Sequence, residues 1–293
     1  MSEDNQLTCF DFSNEIKKTH AKFKGIDLFA GIGGIRLGFE QVFKKDIDFV
    51  FSSEIDKFAK ITYFENFKEV PYGDITQINP IDIPSFDILL AGFPCQPFSN
   101  AGLKKGFSDT RGSLFFDIAR IIEHHKPKVV FLENVKGFKG HDKGNTFRVV
   151  KETLENLGYK VFFEVLNAKD FGVPQNRERI YIIAFLDKKI NFRFPEKMDV
   201  SIKVGDILDN QVDEKYTSTL SARYYKDGSE VLIQQEHKNP RKLSPREAGR
   251  LQGFPDEFNI VVSDVQAYKQ FGNSVAVPAI KELAKHIQKE IDK

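Results

Sequence analysis

Short apolar runs that alternate with amphipathic stretches constrain this chain more than any other feature of its sequence. The runs are Ile26 to Phe29, Phe49 to Ser52, Phe86 to Ala91, Lys128 to Leu132, Lys160 to Val165 and Arg179 to Phe185. Helical spacing fits between them at Ile35 to Val42, Lys57 to Phe67, Leu114 to His124 and Thr146 to Leu157, and Gly158 follows the last as a helix stop. Continuous apolar strands separated by helices predict a mostly parallel sheet covered on both faces. Residues before Lys24 are polar without a clear period and read as a loosely attached arm. After Lys188 the pattern changes to a polar segment with short β-like runs such as Glu230 to Gln234, which reads as a separate small lobe. Ser244-Pro245-Arg246-Glu247 then opens a helix with a capping box, and a last amphipathic helix, Val277 to Ile291, returns to the large sheet.

A chain of 293 residues can bury a full core. Its formal net charge of +1 announces no polyanionic partner, so any such partner is met by a local patch. Two cysteines, Cys9 and Cys95, are too few for a disulfide framework or a structural zinc site, which predicts a reduced, cytoplasmic protein without a metal. No apolar run is long enough to span a bilayer, and no secretory signal core is expected.

Three places along the chain carry chemistry. In Asp27-Leu28-Phe29-Ala30-Gly31-Ile32-Gly33-Gly34 a glycine-rich turn lies between the first strand and its helix, where backbone N–H groups can approach a ligand. Glu54 closes the next strand, the place at which a carboxylate takes ribose hydroxyls in a nucleotide-binding βαβ unit; a surface glutamate is the plainer reading. The turn lacks the glycine order expected for a pyrophosphate, so a nucleoside with an amino-acid tail fits better than a dinucleotide. Asp74, ending a third βα unit, is placed either to accept from an adenine amino group or to cap a helix. Ala91-Gly92-Phe93-Pro94-Cys95 puts a cysteine on a loop at a strand's carboxyl end, as nucleophile or as apolar filler. Glu133 ends the next strand along the same edge, and a thiolate beside a carboxylic acid suits addition to a polarised ring, whereas a salt bridge is the bland alternative. Gln175-Asn176-Arg177-Glu178-Arg179 brings two guanidinium groups near that edge, unless it is a solvated turn. The stretch Gln96 to Ser113, with glycines at 102, 106 and 112 and basic Lys104, Lys105 and Arg111, reads as a basic lid over a polyanion.

DLFAGIGG, AGFPCQPFS, FLENV, QNRER, RKLSPREAGRLQGFP and QAYKQFGNSVAVP, in this order, closely resemble the blocks of bacterial S-adenosylmethionine-dependent DNA cytosine-5 methyltransferases, including the Dcm-like enzymes. The resemblance runs from about Gly25 to the C-terminus. It implies a Rossmann-like, doubly wound methyltransferase domain over residues 1–188 and 273–293 (1–24 as the arm), a smaller irregular or β target-recognition domain over 189–244, and a connecting region over 245–272. It implies a cofactor site of Phe29, Gly31, Ile32, Gly34, Glu54, Ile55, Asp74, Ile75, Pro94, Leu114, Asn273 and Ser274. Cys95 is implied to attack carbon-6 of a cytosine flipped from the duplex, Glu133 to engage ring N3, and Arg179, helped by Arg177, to hold O2. Gln96, Ser99, Lys104, Lys105, Arg111, Thr219, Leu220 and Arg223 are the implied DNA-facing residues. The expected partners are double-stranded DNA and, functionally rather than physically, a cognate restriction endonuclease; the protein itself is expected to be a monomer.

Two departures stand out. Ile55 occupies the place where the family often carries an aromatic, which weakens stacking on an adenine. The region between Arg179 and Arg241 is short: Glu214-Lys215-Tyr216-Thr217 runs almost directly into Ser218-Thr219-Leu220-Ser221, where relatives carry a longer variable insert. Loss of part of that lobe reduces sequence discrimination before it touches the chemistry. It leaves open a related activity on RNA, and a cofactor-binding or DNA-binding protein that no longer turns over.

Overall fold

The computed structural model describes residues 20–94, 114–198, 202–208, 215–226, 228, 230–235 and 237–293. Residues 1–19 of the expected arm and the Cys95–Ser113 stretch lie outside the described residues, whereas Phe23 and Lys24, also read as arm, begin the first strand because Phe23 is buried in the core. Strands β1 (Phe23–Leu28), β2 (Ile47–Ser53), β3 (Ile88–Gly92), β4 (Val129–Val135), β5 (Lys160–Asn167) and β6 (Glu178–Phe185) form one sheet in the order β2-β1-β3-β4-β6-β5. All neighbours pair in parallel except at β6, which runs antiparallel to both β4 and β5. The expected doubly wound, mostly parallel α/β architecture is therefore present.

Consecutive residues of the central strands feed opposite cores. Leu89 and Ala91 of β3 join Val130 and Leu132 of β4 under α3 (Leu114–His125) and α4 (Asn145–Asn156). Ile88, Leu90, Val129 and Phe131 point the other way, against α1 (Gly34–Phe43) and α7 (Val277–Ile291). This two-sided burial is why these strands read as unbroken apolar runs. Asp56 caps α2 (Lys57–Phe67) by accepting from the N–H groups of Phe58 and Ala59, and Gly158 takes φ +101° just beyond α4. α5 (Pro245–Leu251) opens with the expected capping box between Ser244 and Glu247.

Two elements differ from the sequence reading. The third βα unit before Asp74 contributes only a single bridge, Ser53 to Tyr72, because the polar stretch that follows turns at once into short 3-10 helices. The stretch 245–272 contains a second helix, α6 (Asp264–Asn273), whose Ala267, Tyr268 and Phe271 are buried. The hairpin β7 (Leu232–Gln235) and β8 (Lys238–Lys242) is the regular part of the polar segment. A third core joins Leu220, Tyr224, Val231 and Ile233 to Ile32, Ala59 and Phe271.

Helices α1 and α7 approach closely at Gly38, where an added Cβ would lie 2.6 Å from Ile280 Cγ2 and 2.7 Å from its Cβ. Gly38→Ala is expected to destabilise by about 1–3 kcal/mol through overpacking despite alanine's better helix propensity. Urea denaturation followed by circular dichroism checks this, and unchanged stability would show that the pair can spread apart freely.

Candidate active site

The strand order creates the cleft. β1 and β3 lie side by side, but β1 connects outward to β2 and β3 outward to β4, so the loops above them diverge at their carboxyl ends. The space between is a cavity of about 680 Å³. On one side the turn after β1 places three residues in the left-handed region, Phe29 (φ +55°), Gly31 (+55°) and Gly33 (+81°). Glycine at 33 is required by space as well, since a Cβ there would sit 2.2 Å from Phe67 Cε2. Glu54 braces this turn: its Oε2 accepts from Gly31 N–H at 2.7 Å and its Oε1 from Asp56 N–H at 2.7 Å. The carboxylate is thus fixed at the β2 edge, with lone pairs remaining for two further donors such as vicinal hydroxyls. Asp74 Oδ1 caps a 3-10 turn through Thr76 N–H at 2.9 Å, so the capping role left open in the sequence is realised, and the residue also lines the cavity.

Each of Phe29, Gly31, Ile32, Gly34, Glu54, Ile55, Asp74, Ile75, Pro94, Leu114, Asn273 and Ser274 lines this one cavity. Ile55 is 75 % exposed there. The sequence reading missed Phe58 on the first turn of α2 and Gln266, Lys269 and Gln270 on α6, which also face it. The QAYKQFGNS block held the signal for α6, masked because its apolar positions are few.

Glu133, Arg177 and Arg179, expected to act on a ring, line the same cavity. Glu133 of β4 pairs in register with Gly92 of β3 and Tyr181 of β6, directly below Phe93 and Pro94, which lead to Cys95. Its Oε1 lies 3.2 Å from Arg179 Nε, both side chains being largely buried. Burial pushes the Glu133 carboxyl above its ordinary 4.5, against the opposing pull of Arg179 and Arg177. Asn134 ties the strand to the neighbouring loop by donating from Nδ2 to the Phe93 carbonyl at 2.9 Å, a contact the sequence did not suggest. Cys95, Gln96, Ser99, Lys104, Lys105 and Arg111 lie outside the described residues.

Two assignments change. Arg177, expected to help Arg179 hold a ring oxygen, is 2 % exposed and donates from Nη1 to the Leu220 carbonyl at 2.9 Å and from Nη2 to the carbonyls of Gly272, at 3.1 Å, and Ser274. The turn is not simply solvated: Gln175 and Arg177 are buried, while Asn176 between them is exposed. Leu220, expected at the DNA face, has no exposed side chain and packs in the third core, where its apolar surface is removed from water. Thr219 is partly exposed and donates to the Asn176 carbonyl at 2.7 Å, while Arg223 remains exposed.

With this geometry in place, comparison with known proteins is decisive. Residues 23–230 and 215–289 match the C-5 cytosine-specific DNA methylase family. The chain belongs to that family. It is 56% identical to the Type II methyltransferase M.NlaX of Neisseria lactamica, over 91% of this chain and 96% of that protein. It is 53% identical to the Type II methyltransferase M.SsoII of Shigella sonnei, over 93% and 82% respectively. The structure of S. pombe Dnmt2 methyltransferase superposes with a TM-score of 0.77 at 21% identity, covering 92% of this chain and 100% of that one, which supports the fold. The first alignment runs over 302 positions while taking up 91% of a 293-residue chain, so the Neisseria lactamica protein carries residues that this cytosine-5 DNA methyltransferase lacks. The two family segments overlap over 215–230.

The raised Glu133 carboxyl has a consequence for stability. Its favourable contribution is complete below the unfolded-state value near 4.5 and is lost as pH rises through the higher folded-state value. Glu133→Gln, which cannot ionise, is therefore expected to gain stability relative to the wild type as pH increases above 4.5. Thermal denaturation of both proteins across that pH range tests this, and a gap that is constant with pH would refute it.

Proposed function

We propose that the protein transfers a methyl group from S-adenosylmethionine to carbon-5 of a cytosine flipped from duplex DNA, as the modification enzyme of a restriction-modification system. The observation that carries this reading is the single cavity in which the Glu54-braced turn and the Glu133–Arg179 pair face one another. The residues present fit the cofactor: an anchored carboxylate for ribose hydroxyls, an opened glycine turn for the amino-acid tail, and apolar Ile55 and Phe58 for an adenine. When bound, the sulfonium supplies an electrophilic methyl group.

The chain's own groups act on the ring. Cys95 thiolate adds to carbon-6, Glu133 in its protonated form donates to N3, and Arg179 donates to O2. The resulting electron density makes carbon-5 nucleophilic. Transfer of the carbon-5 proton to water and expulsion of the Cys95 thiolate from carbon-6 restore the aromatic ring as 5-methylcytosine. Burial of Glu133 supports the proton-donating role, because desolvation raises its carboxyl above the ordinary value and so favours the protonated form. Residues 189–244 serve as the recognition lobe, with Thr219 and Arg223 toward DNA, and the protein acts as a monomer alongside a separate endonuclease. The relatives' designation as Type II methyltransferases supports the restriction-modification setting.

Incubation with labelled S-adenosylmethionine and unmethylated duplex DNA, with transfer RNA in parallel, is expected to yield 5-methylcytosine in DNA alone. Cys95→Ser is expected to lower the rate by at least about 10³-fold. Label confined to RNA, or undiminished in the variant, would overturn the reading. Ile55→Trp is expected to tighten S-adenosylhomocysteine binding by about 0.5–1.5 kcal/mol through ring stacking, as calorimetry would show.

A further inference from the structure

Arg177 is the most heavily committed buried cation of the cavity wall. Its peptide is held on both sides, the N–H donating to Asn167 Oδ1 at 3.0 Å and the carbonyl accepting from Ala168 N–H at 3.0 Å. Its Nη1 reaches the recognition segment at the Leu220 carbonyl, and its Nη2 reaches the carbonyls of Gly272 and Ser274, on either side of Asn273. Asn273 and Ser274 line the proposed cofactor pocket. Gln175, two residues earlier, holds the other side of Leu220: its Oε1 accepts from Leu220 N–H at 3.1 Å, while its Nε2 donates to the Leu251 carbonyl at 2.9 Å. The segment is pressed against the cofactor turn so closely that a Cβ on Gly272 would lie 2.3 Å from both the carbonyl carbon and oxygen of Ser221.

The geometry points to Arg177 as a positioning residue that registers the DNA-recognition segment against the cofactor turn, so that one guanidinium sets the shape of both binding sites. It rests on the proposed function only for the identity of the two ligands. A rigid planar fork can bond three carbonyls from two directions at once; the point charge of lysine cannot span them. Gln175 touches the recognition segment and α5 but not the cofactor turn, so the two side chains are separable.

The test is S-adenosylhomocysteine binding by calorimetry without DNA, together with the KM for duplex DNA and kcat, for the full chain carrying Arg177→Lys or Gln175→Met. Circular dichroism melting confirms that each is folded at the temperature used. Arg177→Lys is expected to weaken cofactor binding and raise the DNA KM by about tenfold each, the equivalent of about 1.4 kcal/mol, with a smaller change in kcat. Gln175→Met is expected to raise the DNA KM while leaving the cofactor Kd within about twofold of wild type. A direct contact from Arg177 to the cytosine would instead lower kcat and leave cofactor binding without DNA untouched, and that result would overturn the inference. Equal cofactor loss in both variants would also overturn it, as a general structural effect. Failure of the wild type to bind S-adenosylhomocysteine would sink the proposed function as well, whereas wild-type binding retained in full by Arg177→Lys sinks this inference alone.

Discussion

The parallel pairing of β1 with β3 is the constraint on which the rest of this molecule depends. Their register, Gly25 with Ile88 through Leu28 with Ala91, levels the ends of the two strands. Because the chain leaves them in opposite directions, no connection crosses the crevice above, and a cavity opens at the carboxyl ends of the strands. The next pairing, Gly92 with Glu133, carries the same level across to β4 and thereby delivers a carboxyl to the cavity floor. The reversed strand β6 then supplies Arg179 opposite Val135, near enough for its Nε to reach Glu133.

Placing ionisable groups in such a cleft costs solvation, and the structure offsets that cost by partnering them. Glu54 is held by two backbone donors, and Glu133 by a guanidinium. Below the glycine turn, Arg36 bonds Glu40 and Glu69 at 2.7 Å each and Tyr63 at 2.9 Å, and lies over the rings of Phe49 and Phe67. Asp27, buried beside this network, is pushed well above the usual carboxylate range by desolvation, so it retains its proton more readily than an exposed aspartate. These contacts join β1, α1 and α2 beneath the turn at Phe29 to Gly33, whose Phe29, Gly31 and Gly33 take positive φ.

The segment from Thr217 to Tyr224 is bound to this frame by backbone bonds as well as by the side chains of the third core. Thr217 bridges Gln175, Leu220 is bracketed by Gln175 and Arg177, and Thr219 bonds Asn176. Among the described residues, these contacts gather at the turn before β6 and at Gly272.

What the sequence determined by itself was local: the apolar runs of a two-sided sheet, the Ser244–Glu247 cap and the glycine turn. These are legible because burial periodicity, capping and positive φ each leave a short-range mark on residue choice. α6 left a weaker mark, since its buried face is made partly of Gln270 and Gly272, which carry little apolar signal. Only the tertiary structure decided the division of labour between the two arginines of Gln175–Arg179. Both have the same charge and donors, and spacing alone suggested that they act together. The long-range approach of Leu220, Gly272 and Ser274 surrounds Arg177 with carbonyls, whereas the pleat of β6 turns Arg179 toward Glu133, and neither outcome is encoded in the residues beside them.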